Sequence, residues 1–159
     1  MEEWGRMIVK APKETLAHFA KGNIANALAQ LANYAGIDSK AVEHANAIMD
    51  TAELKEGYLT LLYDCSEWVD ISMAFVSKGS NIEYYARHGD EYGTLSFFAL
   101  TASSERFCLQ FDEGGDAMED EAYQEKMIGK LNQWKSLIPQ SVKKTYPDFA
   151  AINAEDYIY

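Results

Sequence analysis

The stretch VDISMAFVSKGSNIEYYARHGDEYGTLSFFALTASSERFCLQFD, residues 69–112, decides how the chain reads as a fold. Val69, Ile71, Met73 and Phe75 alternate with smaller or polar residues, the two-residue period of a half-buried strand. SKGS then reads as a turn. NIEYYARH aligns Ile82, Tyr84 and Ala86, and GDEYG turns the chain again. TLSFFALTA presents Leu95, Phe97 and Ala99, and after SSE the segment RFCLQFD presents Phe107, Leu109 and Phe111. Strands joined by such short polar turns pair with their neighbours, so the spacing predicts a four-stranded antiparallel β-meander from about 69 to 112.

Outward from the meander the period is helical. Pro12 suits a first helical turn, Leu16, Phe19 and Ala20 give a short apolar face, and Gly22 stops it. NIANALAQLANYAG follows, with Asn23 as cap, an apolar stripe of Ile24, Leu28, Leu31, Ala32 and Ala35, and Gly36 as the C-terminal stop. A third helix is predicted from about Asp38 to Asp50 on Val42, Ala45 and Met49. The next segment, TAELKEGYLTLLYDCSEW, fits either period. The capping-box pair Asp50 and Glu53 and the spacing of Leu54, Tyr58, Leu61 and Cys65 lean toward a helix, while Gly57 and the strand formers of YLTLLY lean the other way, so a helix or a helix-to-strand transition is the expectation.

Beyond the meander a helix is predicted from about 117 to 138, with Tyr123, Met127, Leu131, Trp134 and Ile138 on one side. The aromatic tail YPDFAAINAEDYIY is expected to pack back on the body. The fold class is therefore α+β: N-terminal helices, a four-stranded antiparallel meander, and a C-terminal helix packed on the sheet, in one domain over 1–159.

A chain of 159 residues can bury a core without staples. Fourteen basic residues stand against 25 acidic ones, a net charge of −11 that repels nucleic acid and anionic membranes. The partner such a charge attracts is a basic protein. No apolar run is long enough for a membrane span, and MEEWGRMIVKAPKE lacks the basic start and apolar core of a secretory signal. A cytoplasmic protein is the expectation. Cys65 and Cys108 are too few for a disulfide framework or a four-ligand zinc site and read as small apolar residues.

Motifs for catalysis are missing. His18, His44 and His88 are scattered, and no HExxH, CxxC, GxSxG, phosphate loop or dinucleotide fingerprint occurs, so no metal, cofactor or catalytic residue is assigned. The residues RHG at 87–89 resemble the phosphate-binding signature of the histidine phosphatases, in which the histidine is the nucleophile and the arginine binds phosphate. That resemblance covers only these residues. It falls past the midpoint of the chain, whereas the family's signature opens its domain, and no histidine follows His88. The turn reading, with Gly89, Asp90 and Gly93 bending the chain, is the better one.

QFDEGGDAMEDEAYQEK, residues 110–126, carries seven acids. A calcium loop begun at Asp112 or at Asp116 would need a closing glutamate where Tyr123 or Met127 stands, so neither register works. Asp116 and Glu119 have capping-box spacing, and acids suit a first helical turn, but these needs use only a few of the seven. The surplus makes Asp112, Glu113, Asp116, Glu119, Asp120 and Glu121 candidate partner-binding residues, with Tyr85 and Phe98 of the meander as aromatic anchors. In general character, small, acidic, tyrosine-rich and without catalytic motifs, the chain resembles the bacterial immunity proteins that neutralise nuclease-type toxins, though it carries no motif of that family. This implies an immunity or antitoxin-like inhibitor of a basic partner such as a toxin. The alternative is a small ligand-binding or enzymatic α+β domain with a pocket between sheet and helices, offering a polar group from Tyr84, His88 or Asp70.

Overall fold

The structure, a computed structural model, describes residues 4–21, 24–43, 49–63, 67–89, 93–112 and 119–152. Its centre is a six-stranded antiparallel sheet: β1 (Trp4–Lys10), β2 (Met49–Lys55), β3 (Tyr58–Tyr63), β4 (Glu83–Gly89), β5 (Thr94–Leu100) and β6 (Arg106–Asp112), in the order β2-β3-β1-β4-β5-β6. The helices are α1 (Lys13–Leu16), α2 (Ile24–Ala35), α3 (Glu67–Lys78), α4 (Glu121–Leu137) and α5 (Gln140–Thr145). β1 pairs with β3 on one side and β4 on the other, so the hairpin β2–β3 and the meander β4–β6 are joined through the first strand of the chain.

Both faces of this sheet are covered, and alternation along β1 sorts its side chains between them. Met7 and Val9 enter a core shared with Leu28 and Leu31 of α2, Trp68, Ile71 and Phe75 of α3, and Tyr84 and Phe98 of the sheet. Ile8 enters the opposite core, with Tyr85, Phe97, Leu109 and Phe111 of the sheet, Leu131 and Trp134 of α4, and Phe149 and Ile152. The consecutive apolar run Met7-Ile8-Val9 is what a strand buried on both faces requires. Edge-to-face packing of Trp134 on Phe97 at 5.0 Å and on Phe149 at 5.5 Å closes the second core, and Trp134 Nε1 donates to the carbonyl of Phe98 at 2.9 Å. The first half of the aromatic tail packs back, with Tyr146, Phe149, Ala150 and Ile152 buried, while residues 153–159 lie outside the described residues. Arg6 and Arg87, opposite one another on β1 and β4, lie over the rings of Tyr146 and Phe149 at 5.0 and 5.8 Å.

The α+β class and the antiparallel sheet agree with the sequence reading, but the sheet has six strands rather than four. Three expected strands are β4, β5 and β6. The fourth, over 69–76, is α3. Its buried residues Trp68, Ile71, Ser72, Phe75 and Val76 recur at helical spacing, whereas Met73, expected inside, is exposed. Gly79 ends α3 by donating its N–H to the carbonyl of Phe75 at 2.9 Å, and a Cβ at this position would collide with that same oxygen. The segment leaning toward a helix at 51–63 is instead the hairpin β2–β3. Glu56 and Gly57 both have positive φ, +53° and +82°, as a two-residue turn matched to sheet twist demands. The helix expected over 38–50 is a short 3-10 turn at Ser39–Val42, capped by Asp38, followed by β2 from Met49; residues 44–48 lie outside the described residues. The C-terminal helix begins at Glu121, later than expected.

Candidate functional site

The acidic corner lies where β6 ends and α4 begins. Asp112, the last residue of β6, is exposed and accepts a hydrogen bond from Thr94 Oγ1 at 2.8 Å. Glu113 and Asp116 lie outside the described residues. Glu119, Asp120 and Glu121 are exposed, as is Glu125 one turn further. The cap is Asp120, whose carboxylate accepts from the N–H of Ala122 at 3.0 Å, so the role expected of Asp116 belongs to Asp120. No ion pair joins Asp112, Glu119, Asp120, Glu121 or Glu125 to a basic side chain among the described residues. One acid is thus committed to capping and one to Thr94, and Glu119, Glu121 and Glu125 project charge into solvent.

The aromatic pair is placed differently from the expectation. Tyr85 and Phe98 are each 1% exposed and sit in opposite cores, Tyr85 under α4 and α5 and Phe98 under the N-terminal helices. They alternate out of phase across the β4–β5 register, in which Tyr85 faces Ala99 and Phe98 faces Ala86. Neither presents surface to a partner. Tyr85 instead donates to Glu83 at 2.8 Å, and burial together with this carboxylate raises its phenol pKa. Tyr84 lies in the first core, where its hydroxyl meets Ser72 Oγ at 2.8 Å and Met7 Sδ at 3.2 Å; burial raises its pKa as well. Among the described residues the exposed large apolar side chains are Tyr34, Leu54, Leu62 and Met73, of which Leu54 and Met73 were expected on buried faces.

Among the described residues, Tyr84, His88 and Asp70 line none of the clefts described below. Tyr84 and His88 are buried, while Asp70 is on the exposed side of α3. Clefts open instead at the end of the sheet where β1 leaves it. One, of about 470 Å³, runs between α1 and the hairpin β2–β3 and is lined by Leu16, Leu54, Lys10, Lys13, Lys55 and Glu56. A second, also about 470 Å³, lies between Pro12, Asn81, Glu83 and Thr101. Lys10 belongs to both, 3.9 Å from Glu83 and over the ring of Tyr58 at 5.6 Å. Three lysines and Glu56 line this one groove, and alternation along the sequence gave no signal of it because the lysines come from three elements.

Among the described residues no group of three or more His, Cys, Asp and Glu side chains is placed to hold a metal ion, and no helix is long and apolar enough to cross a membrane. Comparison of the chain with protein-family models, with curated proteins and with solved structures finds no match in any of the three.

Proposed function

We propose that the protein works by binding another protein, a basic one, through the acidic corner between β6 and α4, as an inhibitor of the immunity or antitoxin kind. The observation that supports this reading is the unpaired charge of Glu119, Glu121 and Glu125 on one exposed helical start. A net charge of −11 attracts a cationic partner over a Debye length, and an exposed cluster with no ion pair among the described residues focuses that attraction on one place. Such charges raise the association rate and set orientation more than they add affinity. Since Tyr85 and Phe98 are core, the desolvated centre of the contact falls to other side chains. The test is capture of partners by the immobilised protein at about 0.1 M and about 0.5 M salt, where screening shortens the Debye length roughly twofold. A basic protein held at the lower salt and released at the higher supports the reading; retention that ignores salt contradicts it.

The groove between α1 and the hairpin favours a second reading, a carrier or sensor of an anionic amphiphile. Its apolar lining of Leu16 and Leu54 fits an acyl chain or ring, and Lys10, Lys13 and Lys55 fit a carboxylate or phosphate head. Titration with a medium-chain fatty acid discriminates: binding that is lost in Leu54→Glu supports this reading, and no binding removes it.

A further inference from the structure

The two edges of the sheet are built differently. β2 has a register shift between Met49 and Thr51 and carries the exposed Glu53 and Lys55, devices by which edge strands avoid pairing with other chains. β6 has neither. It keeps unbroken register with β5 over all seven residues, contains no proline or lysine, and its interior Phe107-Cys108-Leu109-Gln110-Phe111 is uncharged. Its outer edge pairs with no strand among the described residues. Alongside, Met73 is 40% exposed with its sulfur 3.6 Å from that of the exposed Cys108, and Phe107 on the opposite face is half-buried. Apolar surface therefore flanks the open edge on both sides of the sheet.

The charges of β6 stand only at its ends, and they are of opposite sign at equal distance from Leu109: Arg106 three residues before it and Asp112 three after. Antiparallel pairing of the strand with a copy of itself about Leu109 sets Arg106 opposite Asp112 of the second copy twice over, Phe107 opposite Phe111, and Cys108 opposite Gln110. Arg106 has N–H donors beyond the two spent on Val76 and Gly79, and Asp112 meets Thr94 through one oxygen only. A strand of arbitrary sequence has no such self-complementarity; it suits a twofold, isologous contact. We propose that β6 is a homodimerisation edge, pairing antiparallel with β6 of a second copy about an axis at Leu109 and continuing the sheet across both subunits.

Sedimentation equilibrium on the full chain tests this with substitutions at two exposed positions that touch neither Arg106 nor the core. Cys108→Lys with Gln110→Lys puts like charges opposite one another across the axis at two places. Cys108→Lys with Gln110→Glu puts opposite charges there and alters the monomer's surface comparably. The expected result is a wild-type dimer, a lysine–lysine variant whose dissociation constant is weakened on the order of tenfold or more, and a lysine–glutamate variant that stays dimeric. A wild type that remains monomeric at every concentration overturns the proposal. So does a dimer that responds equally to the two variants, since its interface would then lie elsewhere.

Discussion

Arg106, on the last strand, holds the end of the helix that precedes the meander: its guanidinium donates to the carbonyl of Gly79 at 2.6 Å, and a second nitrogen donates to the carbonyl of Val76 at 2.6 Å. The last carbonyls of a helix have no partner within it, and a cation placed there also meets the negative end of the helix dipole. One exposed side chain thus ties α3 to the sheet edge. Charge-assisted hydrogen bonds of this kind contribute about 2 kcal/mol, and Arg106→Met is expected to lose roughly that much in urea unfolding. Unchanged stability would show that water replaces the guanidinium at no cost.

Ser72 and Tyr84 form a buried pair between α3 and β4, with Tyr84 also stacked on Phe75 at 5.1 Å. Removing Tyr84's hydroxyl strands Ser72 in a dry core, and removing Ser72 leaves the Tyr84 hydroxyl only the weak acceptor Met7 Sδ. Ser72→Ala and Tyr84→Phe are each expected to cost about 1–3 kcal/mol, while the double substitution costs less than their sum. Strict additivity in the cycle would mean that the hydroxyls do not depend on one another.

Glu56 holds a left-handed backbone, φ +53°, that a residue with a side chain adopts reluctantly; Gly57 at +82° follows it in the same turn. Glu56→Gly or Glu56→Asn is expected to raise thermal stability by up to about 1 kcal/mol, and Gly57→Ala to lower it by about 1–2 kcal/mol. No space constraint is involved, because nothing lies within 4 Å of a Cβ built on Gly57, so the loss measures backbone strain alone.

Tyr84 and Tyr85 give the fold an alkaline limit. Their phenols ionise near pH 10 in the unfolded chain, and in the folded one burial holds both pKa values higher, with Glu83 adding to the rise at Tyr85. Above about pH 10 the unfolded state therefore binds fewer protons than the native state, and stability falls as pH increases. Below that pH their contribution is whole. The expected observation is a urea midpoint that declines between about pH 10 and 11, less steeply in Tyr85→Phe; a midpoint flat across that range would contradict the burial of these hydroxyls.

How far the sequence could be read depended on which faces each segment buries. β6 alternates visibly, and β4 and β5, though buried along most of their length, are bounded by turn residues that mark them as strands. β1 was not, because Met7, Ile8 and Val9 are all buried and leave no alternation. In 69–76 the apolar residues satisfy two periods at once. Trp68, just before the window, together with the buried Ser72, decides for a helix, and a serine is not an obvious core residue until its bond to Tyr84 is known. The candidate site was legible only as charge: Glu119, Asp120 and Glu121 are exposed as read, but Tyr85 and Phe98 are adjacent in pattern only, since pairing of β4 with β5 sends them to opposite cores. The lysine groove was hidden because Lys10, Lys13 and Lys55 meet through tertiary structure.

Reversal of the unpaired acids with the helix cap left intact bears most directly on the proposed function. Asp120 is kept, because its bond to the N–H of Ala122 starts α4, and Glu119→Lys, Glu121→Lys and Glu125→Lys are combined. The association rate of this variant with the captured basic partner is then compared with that of the parent protein across ionic strength. Association is expected to be slowed by at least about tenfold at low salt, with a flattened salt dependence and dissociation changed little. An association rate equal to the parent's at every salt concentration would contradict the proposed function.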